Sequence, residues 1–543
     1  MTGSRSTGSQ PPAGSLTGGG RPGLVLDVDE RTPPLIVHHG EGFSLQQFPL
    51  GTRVVYPPDS LPGLPDVTAA IDAALDEPID SPPLDELLFA DMRLAIVFDD
   101  LSIPLPPMRA PDIRQRVVEA VIERAAQAGV DDVHLIAANS LHRRMTPDEL
   151  QHILGERVFR SFWPERLRNH DAEDPDDLVV LGETGHGEVV EINRTAAEAD
   201  LLVYVNVNLI AMNGGDKSVP VGLASYRSLR HHHNVHTMLH SRSFNDPPRS
   251  AMHHSYDRMG DVVADTVRLF QIETTVNNET FPPQFDFLNT REWEWSYRQQ
   301  GAYLAAKRAN ELAPAKVRRK VWQAVEAPYE VTSVNAGEVN AVHERTLANV
   351  HRQQLTEIDG QADILVFGLP YLCPYNVNSV MNPILVSCLG LGYYFNMYKN
   401  RPVVREGGVL IAFHPVPWEF HQVHHPSYVD FFDEVLAETT DPAAIEAKFE
   451  QAYATDPWYV HLYRTSYAYH GVHPFYMWYW GAHALDHLDD VIFVGANRKS
   501  VRRMGFRSAS TFNDALEMAS DSVGRSPRIT YMHTPPLTMA EVR

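Results

Sequence analysis

Cysteine is nearly missing from this chain: 543 residues hold only Cys373 and Cys388, and these form no CxxC pair. That excludes a disulfide framework and suits a reducing cytosol. No run of about 18 apolar residues occurs, which excludes a membrane-spanning helix. Positive charge is in short supply, with 46 Lys and Arg against 69 Asp and Glu, for a formal net charge of −23. A polyanionic partner such as nucleic acid is therefore not expected. The opening stretch from Met1 to Gly23 lacks the apolar segment of a secretory signal, and its Gly, Ser, Thr and Pro predict a disordered tail. There is no repeat at fixed period, and Gly390-Leu391-Gly392 lacks the third glycine of a dinucleotide fingerprint. These absences leave a soluble, cytoplasmic protein whose partner is a small molecule, with neither membrane nor nucleic acid. No pattern sets its oligomeric state.

Hydrophobic residues make up 43% of the chain, enough for real cores, and the length suits two domains. Leu94 to Phe98 is a β-type apolar run ending in Asp99-Asp100. A helix is predicted from Asp112, with Val117, Val118, Val121, Ile122 and Ala125 at helical spacing and Gly129 as its stop. Val133 to Ala138 reads as the next strand, giving a parallel βαβ unit. Thr146-Pro147-Asp148-Glu149 reads as a capping box, so Asn139 to Met145 is a loop between a strand's carboxyl end and a helix start. Open α/β sheets bind ligands at that edge. Further strands are predicted at Leu178 to Leu181, Val189 to Ile192, Leu201 to Val207, Ile364 to Phe367, Val409 to Phe413, Val491 to Val494 and Ile529 to Met532. The expected fold is α/β: two α/β domains with mainly parallel sheets, joined by a helical connector, with the active-site cleft between them. The expected division is 1–23 (tail), 24–285 (cofactor-binding domain), 286–360 (connector) and 361–543 (second domain).

Histidine is abundant, at 26 residues, and much of it is clustered. His231-His232-His233-Asn234-Val235-His236 is followed by His240, His253 and His254. On a helix His232 and His236 share a face and can hold a transition metal; the alternative is a polar helix end. The HExxH glutamate is missing, so a zinc-protease reading fails. Gly214-Gly215-Asp216-Lys217 follows a buried strand. Glycines there allow close backbone approach to a ligand, and the lysine can bind phosphate or form a covalent link to a cofactor; otherwise this is a turn with a solvated lysine. His142 sits in the strand-end loop, where a general acid or base is well placed, though a solvated loop histidine looks the same in sequence. His170 lies beside Asp171, which favours a charged imidazole, or else belongs to a capped turn. Asp99-Asp100-Leu101-Ser102 can bind hydroxyls or a metal, or cap its own loop. The aromatic run Phe475 to Trp480 and the surrounding histidines (His414, His421, His424, His425, His461, His470, His473, His483, His487) line a pocket or fill a core.

In order, these segments resemble the nickel-dependent lactate racemase family. Asp99-Asp100-Leu101-Ser102 is similar to its DD-x-T-R-P segment, and His142-Arg143-Arg144-Met145-Thr146 to its HRxMT loop. Asn169-His170-Asp171, Leu178 to Thr184, Glu191 to Arg194 and Ala199-Asp200 continue the match. Gly214 to Val219, with the histidine cluster, resembles the cofactor-anchoring segment. The likeness covers roughly residues 90 to 280. It implies a nickel pincer nucleotide, a pyridinium mononucleotide with two sulfur arms, covalently attached at Lys217. By the same resemblance Gly214, Gly215, Asp100, Ser102 and Arg143 surround the cofactor, His233 ligates nickel with His231 and His232 as rivals, and His142 is a catalytic histidine. The implied chemistry is removal of hydride from the carbinol carbon of a 2-hydroxy acid and its return to the other face.

The departures from that pattern bear on substrate. The family's second catalytic histidine falls at Val207, so Asn208 or a neighbouring histidine would have to stand in for it. The arginine of DD-x-T-R is Ile103. In the stretch Pro374 to Ile384, which resembles P-x-D-x-N-x-Y-Q-x-x-K, the expected glutamine and lysine are Met381 and Ile384. Losing a positioned base costs about 10²–10⁴-fold in rate, and losing cationic contacts weakens carboxylate binding. The expectation is an isomerase, a racemase or epimerase acting on a 2-hydroxy acid or related hydroxy compound, either larger and less acidic than lactate or gripped by the carboxyl-terminal histidines, with a one-base oxidoreductase or isomerase as a close variant. The rivals are a non-catalytic relative that binds nucleotide or nickel, and a conventional metal-dependent hydrolase built on the histidine cluster.

Overall fold

A run such as Leu94-Ala95-Ile96-Val97-Phe98, apolar at every position, is stable only as a strand covered on both faces. It forms the strand Arg93–Asp99, whose residues from Leu94 to Phe98 are all buried. The computed structural model describes residues 24–103 and 105–543; the expected tail from Met1 to Gly23 lies outside the described residues. Arg93–Asp99 lies inside a six-stranded sheet ordered Val331–Gly337, Leu269–Val276, Leu201–Asn208, Arg93–Asp99, Asp132–Ala138, Leu167–Asn169. All neighbours are parallel except the first pair. The chain runs from Arg93–Asp99 outward to Leu167–Asn169, then returns to lay Leu201–Asn208 on the other side. The carboxyl ends of Arg93–Asp99 and Leu201–Asn208 therefore form a topological switch point, where such sheets open a crevice.

The expected βαβ unit is present. Helix Ile113–Gln127 is capped by Asp112, whose side chain accepts from the Arg114 amide, and buries Val117, Val118, Val121 and Ala125. Gly129 follows at φ 78°, a left-handed position that glycine takes without strain. Thr146 and Glu149 form the expected capping box on Pro147–Phe162.

The second sheet has nine strands. Its main path is Val25–Asp27, Arg53–Val55, Ile529–Met532, Ala362–Pro370, Val404–Phe413, Leu488–Val494, Arg507–Ala509, with the hairpin of Leu35–Gly40 and Gly42–Gln46 attached to Ala362–Pro370. All contacts along the path are parallel except the pairing of Val25–Asp27 with Arg53–Val55. The aromatic run of the second half is the helix His473–Tyr479, buried at every residue.

Sheet membership cuts across the expected division. Residues from Val25 to Val55 belong to the second sheet, and Val331–Gly337 with helix Val339–Gln354 belongs to the first. The region 286–360 is thus not wholly a helical connector, although Tyr297–Leu312 and Ala315–Gln323 are helices. Val331–Gly337 reads Val-Thr-Ser-Val-Asn-Ala-Gly, with too few apolar residues to show a period of two. Its place is set by antiparallel pairing with Leu269–Val276 over six residue pairs, a tertiary effect that local pattern does not carry.

One buried ion pair fixes the edge of the switch point. Arg114 and Asp112 are 2.7 Å apart with side chains 2% and 1% exposed. The same guanidinium donates to the Asp99 carbonyl at 3.0 Å and to the Asp100 carbonyl. Removing one partner of a buried pair typically costs about 3–5 kcal/mol. Arg114→Met is expected to lower the free energy of denaturant unfolding by about that amount; an unchanged unfolding curve would show that the strand end does not depend on it.

Candidate functional site

The strand end held by Arg114 sends its two carboxylates in different directions. Asp99 Oδ1 accepts from Asn206 Nδ2 at 3.0 Å and Oδ2 from the Val207 amide at 2.8 Å, tying the neighbouring strand in place. Burial pushes the Asp99 carboxyl up to about 7. Asp100 Oδ1 accepts from the Ser102 amide at 3.0 Å and its hydroxyl at 2.5 Å, and Oδ2 meets His142 Nδ1 at 2.8 Å. Burial alone would raise Asp100, but His142 and Ser102 outweigh it and hold the carboxyl below its usual value. His142 is thus oriented by a carboxylate on one nitrogen, with Nε2 left for other work. A carboxylate–imidazole pair with a free second nitrogen is a suitable general base.

The turn after Leu201–Asn208 needs its glycines for packing. Gly214 and Gly215 have φ of 86° and 60°. A Cβ on Gly214 would lie 2.6 Å from Asn208 Oδ1, and one on Gly215 would lie 2.7 Å from His343 Cδ2. The Gly215 amide donates to Glu273 Oε1 at 2.6 Å, and Glu273 also pairs with His343 at 3.1 Å. These two glycines therefore press against a buried Glu273–His343 pair. The turn delivers Lys217 to the cavity edge, where its amine makes one long bond, 3.3 Å to Asn213 Oδ1. Burial pushes this amine down to about 8, against the pull of Asp99 and Asp100.

The histidine cluster is not the face predicted from its spacing. The helix begins only at Val235, capped by Asn234, so His232 is buried in a turn while His236 is exposed. His233 is buried with its Nδ1 2.7 Å from His232 Nδ1, which leaves its Nε2 for the cavity. Burial holds His233 well below its usual value. Among the described residues no group of three or more His, Cys, Asp or Glu is placed to hold a metal ion.

A cavity of about 150 Å³ joins these groups. One wall carries Ser102, His142, Lys217 and His233; the facing wall carries Tyr375, Tyr393 and Trp480. The cleft thus lies where strand ends of the first sheet meet the second half of the chain. Ile103 also lines it, an apolar side chain where the resemblance leads one to expect arginine.

Other sequence candidates fall elsewhere. Arg143 is buried in a bidentate pair with Glu149, at 2.9 and 2.7 Å, and reaches the Val377 carbonyl at 3.0 Å. It braces the two halves and does not line the cavity of Lys217. Asn208 is buried against Gly214 with neither amide atom hydrogen-bonded. Its amide nitrogen has no basic lone pair, so it is no substitute for an imidazole. Met381 and Ile384 lie wholly in the core, and Val207 is buried in the first sheet. Burial lowers the proton affinity of His170, against the pull of its neighbour Asp171, whose carboxylate is engaged by Arg464 at 3.0 Å. Glu273, His343, Arg114 and the Tyr375–Tyr393 pair were missed. They carry no local motif, and only the fold brings them together.

Comparison with known proteins places residues 42–246 in the family of lactate racemase N-terminal domains. A lactate racemase of Lactiplantibacillus plantarum is 29% identical over 217 residues, 38% of this chain and 47% of that protein. A lactate racemase of Thermoanaerobacterium thermosaccharolyticum is 27% identical over 169 residues, 30% of this chain and 36% of that protein. These sequence matches span half or less of the relatives' length. The lactate racemase apoprotein structure from Thermoanaerobacterium thermosaccharolyticum superposes with a TM-score of 0.61 at 16% identity, covering 93% of this chain and 99% of that one. The likeness of fold thus runs through both halves.

Cyanate carbamylates only neutral amines, so its reaction with an unmodified Lys217, followed by peptide mass mapping, is expected to rise through a midpoint near pH 8. Asp99→Asn removes a nearby negative charge and should move that midpoint lower. A midpoint near the ordinary lysine value of about 10.4 would contradict the desolvated setting of this amine.

Proposed function

Because the chain is a divergent member of the lactate racemase family through its amino-terminal domain, we propose that it is a racemase or epimerase acting at the secondary-alcohol carbon of a hydroxy acid or related hydroxy compound. The observation that carries this reading is the convergence of Asp100-oriented His142, a desolvated Lys217 and an outward-facing His233 on one cavity wall.

The donor set fits a nickel pincer nucleotide. Lys217 supplies a nearly free amine for covalent attachment, and its low affinity for a proton makes it nucleophilic near neutrality. His233 supplies one neutral imidazole. A lone histidine does not hold a metal by itself, so the remaining donors must come from the cofactor, as the sulfur arms of a pincer would provide. The same scatter of histidines speaks against a hydrolase with a metal held by protein alone. When bound, such a group supplies a hydride acceptor that also returns the hydride.

The chain's own part is proton handling and exclusion of water. His142 Nε2 takes the hydroxyl proton as hydride leaves and gives it back on return, while Asp100 stabilises the imidazolium and fixes the ring. With Val207 in the core and Asn208 outside the cavity, His142 is the single base of this reading. The aromatic wall seals the reacting carbon from solvent.

Intact mass and metal content of protein made in a cofactor-competent host test this reading. A mass excess with nickel, both lost in Lys217→Ala, is the expected result. Unmodified, nickel-free protein from a host that loads a known lactate racemase would refute it. In loaded enzyme, His142→Gln is expected to lower turnover by about 10²–10⁴-fold, and Asp100→Asn to lower it with little change in KM.

A further inference from the structure

The wall facing Lys217 is chemically unlike it. Tyr375 and Tyr393 both line the cavity, and their hydroxyls are 2.8 Å apart. One hydroxyl must donate to the other, so the pair keeps one O–H with no acceptor. Burial pushes both phenols well above their usual value, so they remain neutral donors at any physiological pH. Trp480 stands beside them, its ring stacked on Tyr393 at 5.9 Å and edge-on to His233 at 5.6 Å. It is 3% exposed and its indole nitrogen is wholly buried, so it offers the cavity ring surface rather than a donor. A donor without a partner costs roughly 1–3 kcal/mol, so the spare tyrosine O–H on the cavity wall points to an acceptor that arrives with the ligand.

The charge around these donors is equally informative. Among the described lining residues there is no Asp, Glu or Arg, and Lys217 is the only lysine. On the reading of the preceding section Lys217 is bonded to the cofactor, and His142 is already paired with Asp100. A carboxylate placed against the tyrosine wall would meet no guanidinium or ammonium there, with Ile103 in the lining where the family pattern has arginine, and an anion buried without such a side-chain partner costs far more than a buried carbonyl. The rest of that wall is aliphatic, with Leu372, Leu389 and Met397 among its residues.

We propose that the ligand of this cavity is an uncharged α-hydroxy carbonyl compound with an apolar side chain, such as an amide or ester, whose carbonyl oxygen is received by the Tyr375–Tyr393 pair. These two residues set specificity for a neutral carbonyl; the reacting hydroxyl faces His142. This deepens the proposed function and depends on it only for the fate of Lys217.

Binding of a matched pair, 2-hydroxyisocaproamide and 2-hydroxyisocaproate, to the full-length Lys217→Met protein tests the proposal without any cofactor. Titration calorimetry at neutral pH is expected to show the amide bound at least about tenfold tighter than the acid. Tyr375→Phe with Tyr393→Phe should weaken the amide about three- to tenfold, the scale of a neutral hydrogen bond. Binding of 4-methyl-2-pentanol, which lacks the carbonyl, should not change in this variant. Should the double variant fail to fold, the preference for the amide over the acid in the Lys217→Met protein alone decides. Equal or tighter binding of the acid, unchanged amide affinity in the double variant, or no binding of either compound at millimolar concentration overturns the proposal. The outcome is separable from the cofactor test: absence of a mass excess at Lys217 leaves the amide preference measurable, and loss of the preference leaves the mass excess intact.

Discussion

The guanidinium of Arg114 organises the strand end on which the whole cavity rests. Paired with Asp112 and closed over the Asp99 and Asp100 carbonyls, it fixes the last turn of the central strand in a place with almost no water. From there Asp99 reaches sideways to the next strand and Asp100 reaches forward to His142. A helix cap, a sheet contact and the orientation of His142 thus share one buried charge pair. Such pairs add little net stability over apolar packing, but they specify geometry, because breaking them strands a charge.

Much of the first domain was legible because its elements are written locally. The strand before Asp99, the helix from Asp112 to Gly129, and the Thr146–Glu149 capping box each depend on neighbours within a few residues, and each formed as read. The position of His142 and of Lys217 at the switch point followed from the same local signals. What did not read through was long-range. The strand Val331–Gly337 has a polar sequence that becomes β only through its partner. The Val25 to Val55 segment joins a sheet whose other strands begin more than 300 residues later. His232 and His236 had the right spacing for one helix face, yet Asn234 starts the helix between them.

Within the candidate site the same distinction holds. Residues named by motif were found near the cavity when their role needs only a loop end, as with Ser102, His142, Lys217 and His233. Arg143 and Asn208 had the right neighbours in sequence but turn away in space, one into an ion pair and the other against a glycine. Conversely, Tyr375, Tyr393 and Trp480 meet across about a hundred residues, and no spacing rule joins them. The shifts in proton affinity follow the same logic: burial dominates at Asp99, Lys217 and His233, while direct contacts reverse it at Asp100.

The two walls of the cavity come from separate stretches of polypeptide. One, between residues 102 and 233, holds the groups to which the proposed reading gives proton transfer and cofactor attachment; the other, mainly between residues 370 and 480, holds most of the rings and aliphatic side chains that a ligand must fit. On that reading reactivity and selectivity are encoded independently. A descendant of this protein could acquire a new molecule to act on through changes in the second stretch alone, with its chemistry inherited unaltered, as a tool keeps its motor when its jaws are exchanged.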